Sequence, residues 1–211
     1  MQQGALNTNR ITIRGIGARA QYGTNKIKAY FDGIPLTTGE GETTIDAIDL
    51  ASIEKIEIIK GPNSTSFGSG LGGVIQLFSR ETPLLASFGK ATVTFGSFGL
   101  LQQRLSAGYD DSKTNIFSSY TDLQTDGFRA NSSYNRKSLN LHGKQKMGSN
   151  GILSFLGTFT RLKAFIPSSI NETDLKNSPE KAASTWAAAQ GYESYDQSLF
   201  GLGYDHRFSE K

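Results

Sequence analysis

Strict alternation is the strongest periodic signal in this chain. Ile53, Lys55, Glu57 and Ile59 interleave with Glu54, Ile56 and Ile58. Period two with so many β-branched residues predicts a strand over 53–59. Gly61-Pro62 stops it, a glycine-rich bend follows, and Val74 to Phe78 predicts the next strand. Upstream, Arg10 to Arg14 predicts a short strand with Ile11 and Ile13 on one face. Lys26 to Phe31 predicts another, turned by Asp32-Gly33. Leu36 to Thr44 is polar and glycine-punctuated and predicts an exposed loop. Ile45 to Ala51 predicts a turn or two of helix, with Asp49 as a cap for the orphan N–H groups. Together these elements predict a small mixed α/β domain.

Near Thr82-Pro83 the grammar changes. Segments of about ten residues with period-two alternation follow one another, separated by turns. The apolar members are Ala91, Val93 and Phe95, then Leu101, Leu105, Ala107 and Tyr109. Residues 114–121 form a poorer strand, with Phe117 and Tyr120 on opposite faces. Leu139 and Leu141, then Leu153, Phe155 and Phe159, then Phe200, Leu202 and Tyr204 complete the series. The spacing predicts about six strands. Asp110-Asp111-Ser112-Lys113 and Gly148-Ser149-Asn150-Gly151 predict short turns. Asp122–Asn135 and Lys163–Gln197 predict long links, the second with a helical patch at Glu180–Gln190 around Trp186. Short connections alternating with long ones suit a membrane β-barrel, and a soluble β-sandwich gives similar alternation.

Composition narrows the chemistry. Of 211 residues, 36% are hydrophobic and 24 are glycine, little for a soluble core but suited to strands with one apolar face. Cysteine is absent, so thiol chemistry is excluded. Two histidines, His142 and His206, argue against a histidine-rich metal site. Asp46, Asp49 and Asp110-Asp111 read as cap and turn residues before metal ligands. Net charge is +3 with no Lys/Arg run, so no nucleic-acid partner is expected. No run of 18 apolar residues makes a transmembrane helix, which leaves barrel strands open. No signal peptide is visible at Met1-Gln2-Gln3. Gly68-Ser69-Gly70-Leu71-Gly72-Gly73 matches GxGxxG, but that fingerprint needs a helix after it and a strand is predicted. Ser52-Ile53-Glu54-Lys55 matches SxxK with no companion motif. No catalytic set appears, and no enzyme is expected.

Three ordered motifs carry a family resemblance. Glu54-Lys55-Ile56-Glu57-Ile58-Ile59-Lys60-Gly61-Pro62-Asn63-Ser64, running on to Arg80, resembles the end of the plug domain of TonB-dependent outer-membrane receptors. Ile11-Thr12-Ile13-Arg14-Gly15 and Ala29 to Leu36 match two earlier plug motifs. Departures are Lys60 for the usual Arg, Phe67 for Tyr and Gln76 for Asn. Phe95-Gly96-Ser97-Phe98-Gly99 resembles the opening of these barrels. Asp126-Gly127-Phe128-Arg129 with Asn131-Ser132-Ser133-Tyr134 resembles their first long loop.

The resemblance implies a plug domain over 1–85 and the N-terminal part of an outer-membrane barrel over 86–211, about six of about 22 strands. The chain then reads as an internal fragment of a larger receptor. It implies a function without bond chemistry: energy-coupled import of a scarce nutrient, a ferric siderophore or ferric citrate-like chelate, across the outer membrane of a Gram-negative bacterium. Expected partners are a TonB-type energy-coupling protein, the ferric chelate and outer-membrane lipid. No cofactor is expected, iron entering only within the chelate. An oligosaccharide or cobalamin importer of the same fold is an alternative, though Gly61-Pro62 favours the chelate branch. A soluble β-rich adhesin or binding module is an alternative of another class.

For single residues, the resemblance implies that Arg14 and Lys60 form a plug–barrel lock, pairing with barrel glutamates. The alternative is a solvated strand-end cation. Ligand contacts are expected from Arg19 and Gln21, from Leu36, Thr37 and Thr38, and from Asn63, Ser64 and Phe67. The alternative at each is an ordinary exposed loop. Arg19 would suit an anionic chelate.

Overall fold

The computed structural model describes residues 11–18, 24–37, 41–43, 45, 48–61, 67 and 72–208. Arg19, Gln21, Thr38, Asn63 and Ser64 lie outside the described residues. The chain divides into two units, Met1–Glu81 and Thr82–Lys211.

In the first unit, β1 (Ile27–Phe31), β2 (Ile34–Pro35), β3 (Ile53–Lys60) and β4 (Gly73–Ser79) make a four-stranded sheet of order β2-β1-β4-β3. β1 runs parallel to β4, while β3 is antiparallel to it. The core is apolar: Ile27, Ala29, Phe31, Val74 and Leu77 are buried. β1 alternates buried and half-buried positions, as its period-two pattern dictates.

Two tight turns share one geometry. Asp32 and Gly33 have φ of 47° and 80°, and Arg14 and Gly15 have 50° and 81°. Left-handed conformation at both central residues is the turn whose twist matches paired strands. The segment expected as a strand over 10–14 is this second turn. Ile13 and Ile16 exchange backbone hydrogen bonds of 3.1 and 3.0 Å across Arg14-Gly15, and Ile11 and Ile13 are both buried. Five residues of alternation do not separate a strand from the arms of a tight turn.

The expected helix near residue 50 is a single 3-10 turn, Leu50–Ser52, and Asp49 caps it by accepting from the Ala51 N–H at 3.0 Å. In the expected exposed loop over 36–44, Glu42 is exposed, but others of the described residues are not. Leu36 and Thr43 are buried, and the Thr43 N–H donates to the Thr24 carbonyl at 2.9 Å. At Thr43, polarity is spent on an internal hydrogen bond instead of on water.

The second unit is a six-stranded antiparallel meander: β5 (Ser87–Phe95), β6 (Leu101–Asp110), β7 (Thr114–Thr125), β8 (Tyr134–Met147), β9 (Gly151–Phe165) and β10 (Tyr192–His206). All six fall on the alternating segments of the sequence. Residues 111–113 and 148–150 connect strands at one end. Residues 96–100, 126–133 and 166–191 connect them at the other. The last contains α1 (Glu172–Asn177) and α2 (Ser184–Ala189), the second inside the expected helical patch.

The faces of this sheet are inverted relative to a protein folded in water. In β8, Ser138 and Asn140 are 1% and 2% exposed, while Leu139 and Leu141 between them are 47% and 42% exposed. In β10, Phe200 and Leu202 are 79% and 78% exposed. The register puts Ala91, Leu105, Tyr120, Leu139 and Phe159 on one face. Ser119, Thr121, Ser138, Asn140, His142, Thr158 and Thr160 lie buried on the other.

The apolar band crosses the ladder obliquely. From Val93, in the middle of the apolar run of β5, the register passes through Gln103, Asp122, Lys137 and Arg161 to Asp196. The middle of the exposed apolar run of β10 is Leu202, six residues further along (202 − 196). Six residues advance about 20 Å and five strand steps span about 24 Å, so the band is inclined about 40°. That is the strand tilt that a closed barrel requires.

Candidate functional site

Glycines fix the backbone of the plug-like motifs. Gly73 has φ 130°, and a Cβ there would run into the carbonyl oxygen of Ile59 on the paired strand. A Cβ at Gly72 would meet the side chains of Ile27 and Ile16 at 2.8 and 2.9 Å. These glycines admit β4 between β1 and β3, and a strand follows them, so the dinucleotide reading fails on geometry. Asp32 does two things. It takes the left-handed turn position, and its carboxylate accepts from the Ser79 N–H at 2.9 Å, tying the turn to the end of β4.

Arg14 stands at the tip of its turn, exposed, and Lys60 is exposed at the end of β3 beside Gly61 (φ 91°). Among the described residues neither has an ion-pair partner. Leu36 packs into the core with its N–H on the Ala29 carbonyl. The Thr37 hydroxyl lies 3.4 Å from that of Thr43. The Phe67 carbonyl accepts from the Tyr30 hydroxyl at 2.9 Å, and the two rings are 5.5 Å apart. Tyr30 thus anchors Phe67, a contact that sequence reasoning passed over; its place in the Ala29–Leu36 motif was the available signal.

The polar face of the six-stranded sheet is hydrogen-bonded within itself. Arg136 Nε donates to the Ser138 hydroxyl at 3.1 Å, Ser138 lies 3.3 Å from the Thr160 hydroxyl, and Asn140 donates to Ser119 at 3.3 Å. The His142 ring stacks on Phe117. Lys90, Arg104, Arg136, Lys144 and Lys146 share this face with Asp110, Glu193 and Asp205. On the opposite face a row of ions closes the apolar band at the long-loop end. Lys137 pairs with Asp122 at 3.3 Å, and Arg161 pairs with both oxygens of Asp196 at 2.8 and 2.9 Å.

At that end, loop 126–133 grips loop 166–191. Arg129 donates from Nε to the Lys181 carbonyl at 2.8 Å and from Nη1 to the Ser168 carbonyl at 2.7 Å. The Ala130 N–H donates to the Glu180 carbonyl at 2.7 Å. The Asn131 amide donates to the carbonyls of Ile166 and Gly191, at 2.8 and 3.0 Å. Among the described residues no group of acids and histidines is arranged to hold a metal ion.

The chain thus joins a mixed sheet with these glycine and turn motifs to an antiparallel meander with an exposed apolar face. Residues 1–74 match the family model described as the TonB-dependent Receptor Plug Domain. The chain is similar to the Hemin receptor of Yersinia enterocolitica, 36% identical over 74 residues, which cover 35% of this chain and 10% of that one. It is 26% identical over 94 residues to the Ferrioxamine receptor of the same organism, covering 44% and 12%. The unliganded ferric citrate transporter FecA shares its fold over 96% of this chain and 31% of that one, with a TM-score of 0.74 and 16% identity. The chain thus spans about a tenth of the length of the curated relatives it matches.

Proposed function

We propose that this chain supplies plug and barrel strands to an energy-coupled outer-membrane receptor that imports a ferric siderophore or a ferric citrate-like chelate. The observation that carries the reading is a match to the plug-domain model over residues 1–74, followed along the chain by a sheet with one exposed apolar face and a largely buried polar face. Such a sheet is stable with lipid on one side and a polar interior on the other. The polar face carries more cations than acids, which favours an anionic chelate. The similar receptors are named for hemin and ferrioxamine, and the structural neighbour for ferric citrate. A TonB-type protein would supply the energy, and Arg14 and Lys60 would hold the plug until it does.

The test is binding and uptake by the full-length protein in a Gram-negative host lacking its own receptors. Hemin, ferrioxamine and ferric citrate are offered in turn under iron limitation. Growth on at least one, abolished when the energy-coupling protein is deleted, is expected. Growth on none, with uptake of an oligosaccharide or cobalamin instead, would move the protein to another branch of the fold.

A further inference from the structure

Loop 166–191 leaves the sheet after β9 and returns at β10, so ladder pairing does not hold its interior. Within it, the Ile166 N–H donates to the Gly191 carbonyl at 3.0 Å and the Ala183 N–H to the Pro167 carbonyl at 2.8 Å. Asn171 caps α1 by accepting from the Asp174 N–H at 2.7 Å, and Trp186 packs against Gly191, where a Cβ would strike the indole ring. Ordering so long a segment costs conformational entropy at every residue. The bonds from residues 129–131 oppose that cost, and they reach both its ends and its middle.

The chemistry of those bonds is one-sided. Every donor is a side chain or N–H of Arg129, Ala130 or Asn131. Every acceptor is a main-chain carbonyl, of Ile166, Ser168, Glu180, Lys181 or Gly191. Asn131 sits at φ 51° and spans the first and last residues of the loop with one amide group. The Ser132 hydroxyl accepts from the Arg129 N–H and braces the turn. A clip that reads only backbone is indifferent to the side chains it holds.

We infer that Arg129 and Asn131 are positioning residues that preform loop 166–191, leaving its side chains free to set ligand preference. The second half rests on the receptor reading above. Leu175 is exposed, and Lys176 and Lys181 are exposed while paired with Glu172 and Asp174 at 2.6 and 3.0 Å; these would then be specificity positions on a fixed frame.

The experiment pairs hydrogen exchange with ligand binding on the full-length protein. Asn131→Gly keeps the left-handed backbone and removes the amide, and Arg129→Lys keeps the charge and removes the planar fork. Amides over 166–191 are expected to exchange about tenfold faster in each, the ratio one lost charge-assisted or bridging bond carries. Exchange in β7, β8 and β9 stays as in the wild type. Binding of the chelate the wild type takes weakens, mainly through slower association. In Leu175→Ser and Lys176→Gln, loop exchange is unchanged while the ranking of hemin, ferrioxamine and ferric citrate shifts.

Unchanged exchange over 166–191 in Asn131→Gly would overturn the clip. Faster exchange with unaltered chelate binding would overturn its role in recognition. Wild-type protein that binds no chelate would overturn the receptor reading instead, and the exchange result would still stand or fall by itself.

Discussion

Arg14 is held in a conformation that costs a non-glycine residue about 1–2 kcal/mol. Strain of this kind persists where a side chain is needed at that place. Arg14→Gly is therefore expected to leave the first unit as stable or about 1 kcal/mol more stable in denaturant melts. The same change should loosen retention of the plug in the complete receptor, as should Arg14→Ala. Retention unchanged by both would leave Arg14 a solvated turn cation. Gly73 gives the opposite expectation. At φ 130° and against the Ile59 carbonyl, Gly73→Ala has no room, and a loss of about 3 kcal/mol or more is expected in the same melts. The Asp-Gly dipeptide made the first turn legible in the sequence. Nothing in a single chain distinguishes Arg14 as a turn residue, because arginine is rare in the left-handed region and the flanking isoleucines suit a strand equally well.

Among the elements, the strands of the second unit were readable because one face needed apolar residues at every second position. Their true lengths were not. β8 and β9 run to 14 and 15 residues, past the apolar band and into segments whose polar character predicted links. Ladder hydrogen bonding continues there whatever the side chains face. The inverted faces give a sharp test in β8. Leu139→Arg should cost about 2–4 kcal/mol when the protein is folded into lipid vesicles, since the site would face hydrocarbon. In water an exposed leucine costs little to replace, so a neutral result would place that face in solvent. The turn at 111–113 carries a pH dependence. The Asp111 carboxylate accepts the N–H groups of Thr114 and Lys113, at 2.7 and 2.9 Å, and these hold its pKa below the usual carboxylate range. A lowered folded pKa means that the stabilisation is complete above the unfolded carboxylate value and is lost as pH falls through the lowered one. Exchange at the Thr114 amide should therefore rise on acidification through that window, beyond the intrinsic pH dependence of exchange. Asp111→Asn should abolish the excess.

At the scale of the whole molecule, the plug motifs and the barrel grammar were both visible in sequence, and each unit folds as its own pattern requires. What stayed hidden was the grip of residues 129–131 on 166–191. Its acceptors are backbone carbonyls, which leave no trace in side-chain pattern. The exposed apolar face has a consequence for the order of events in the cell. In water, Phe200, Leu202 and their neighbours would favour self-association over the sheet that presents them. On the receptor reading, the chain gains by assembling these strands only once lipid is at hand. Transit to the membrane would then be made unfolded and escorted, and the bilayer itself would act as the last reagent in folding.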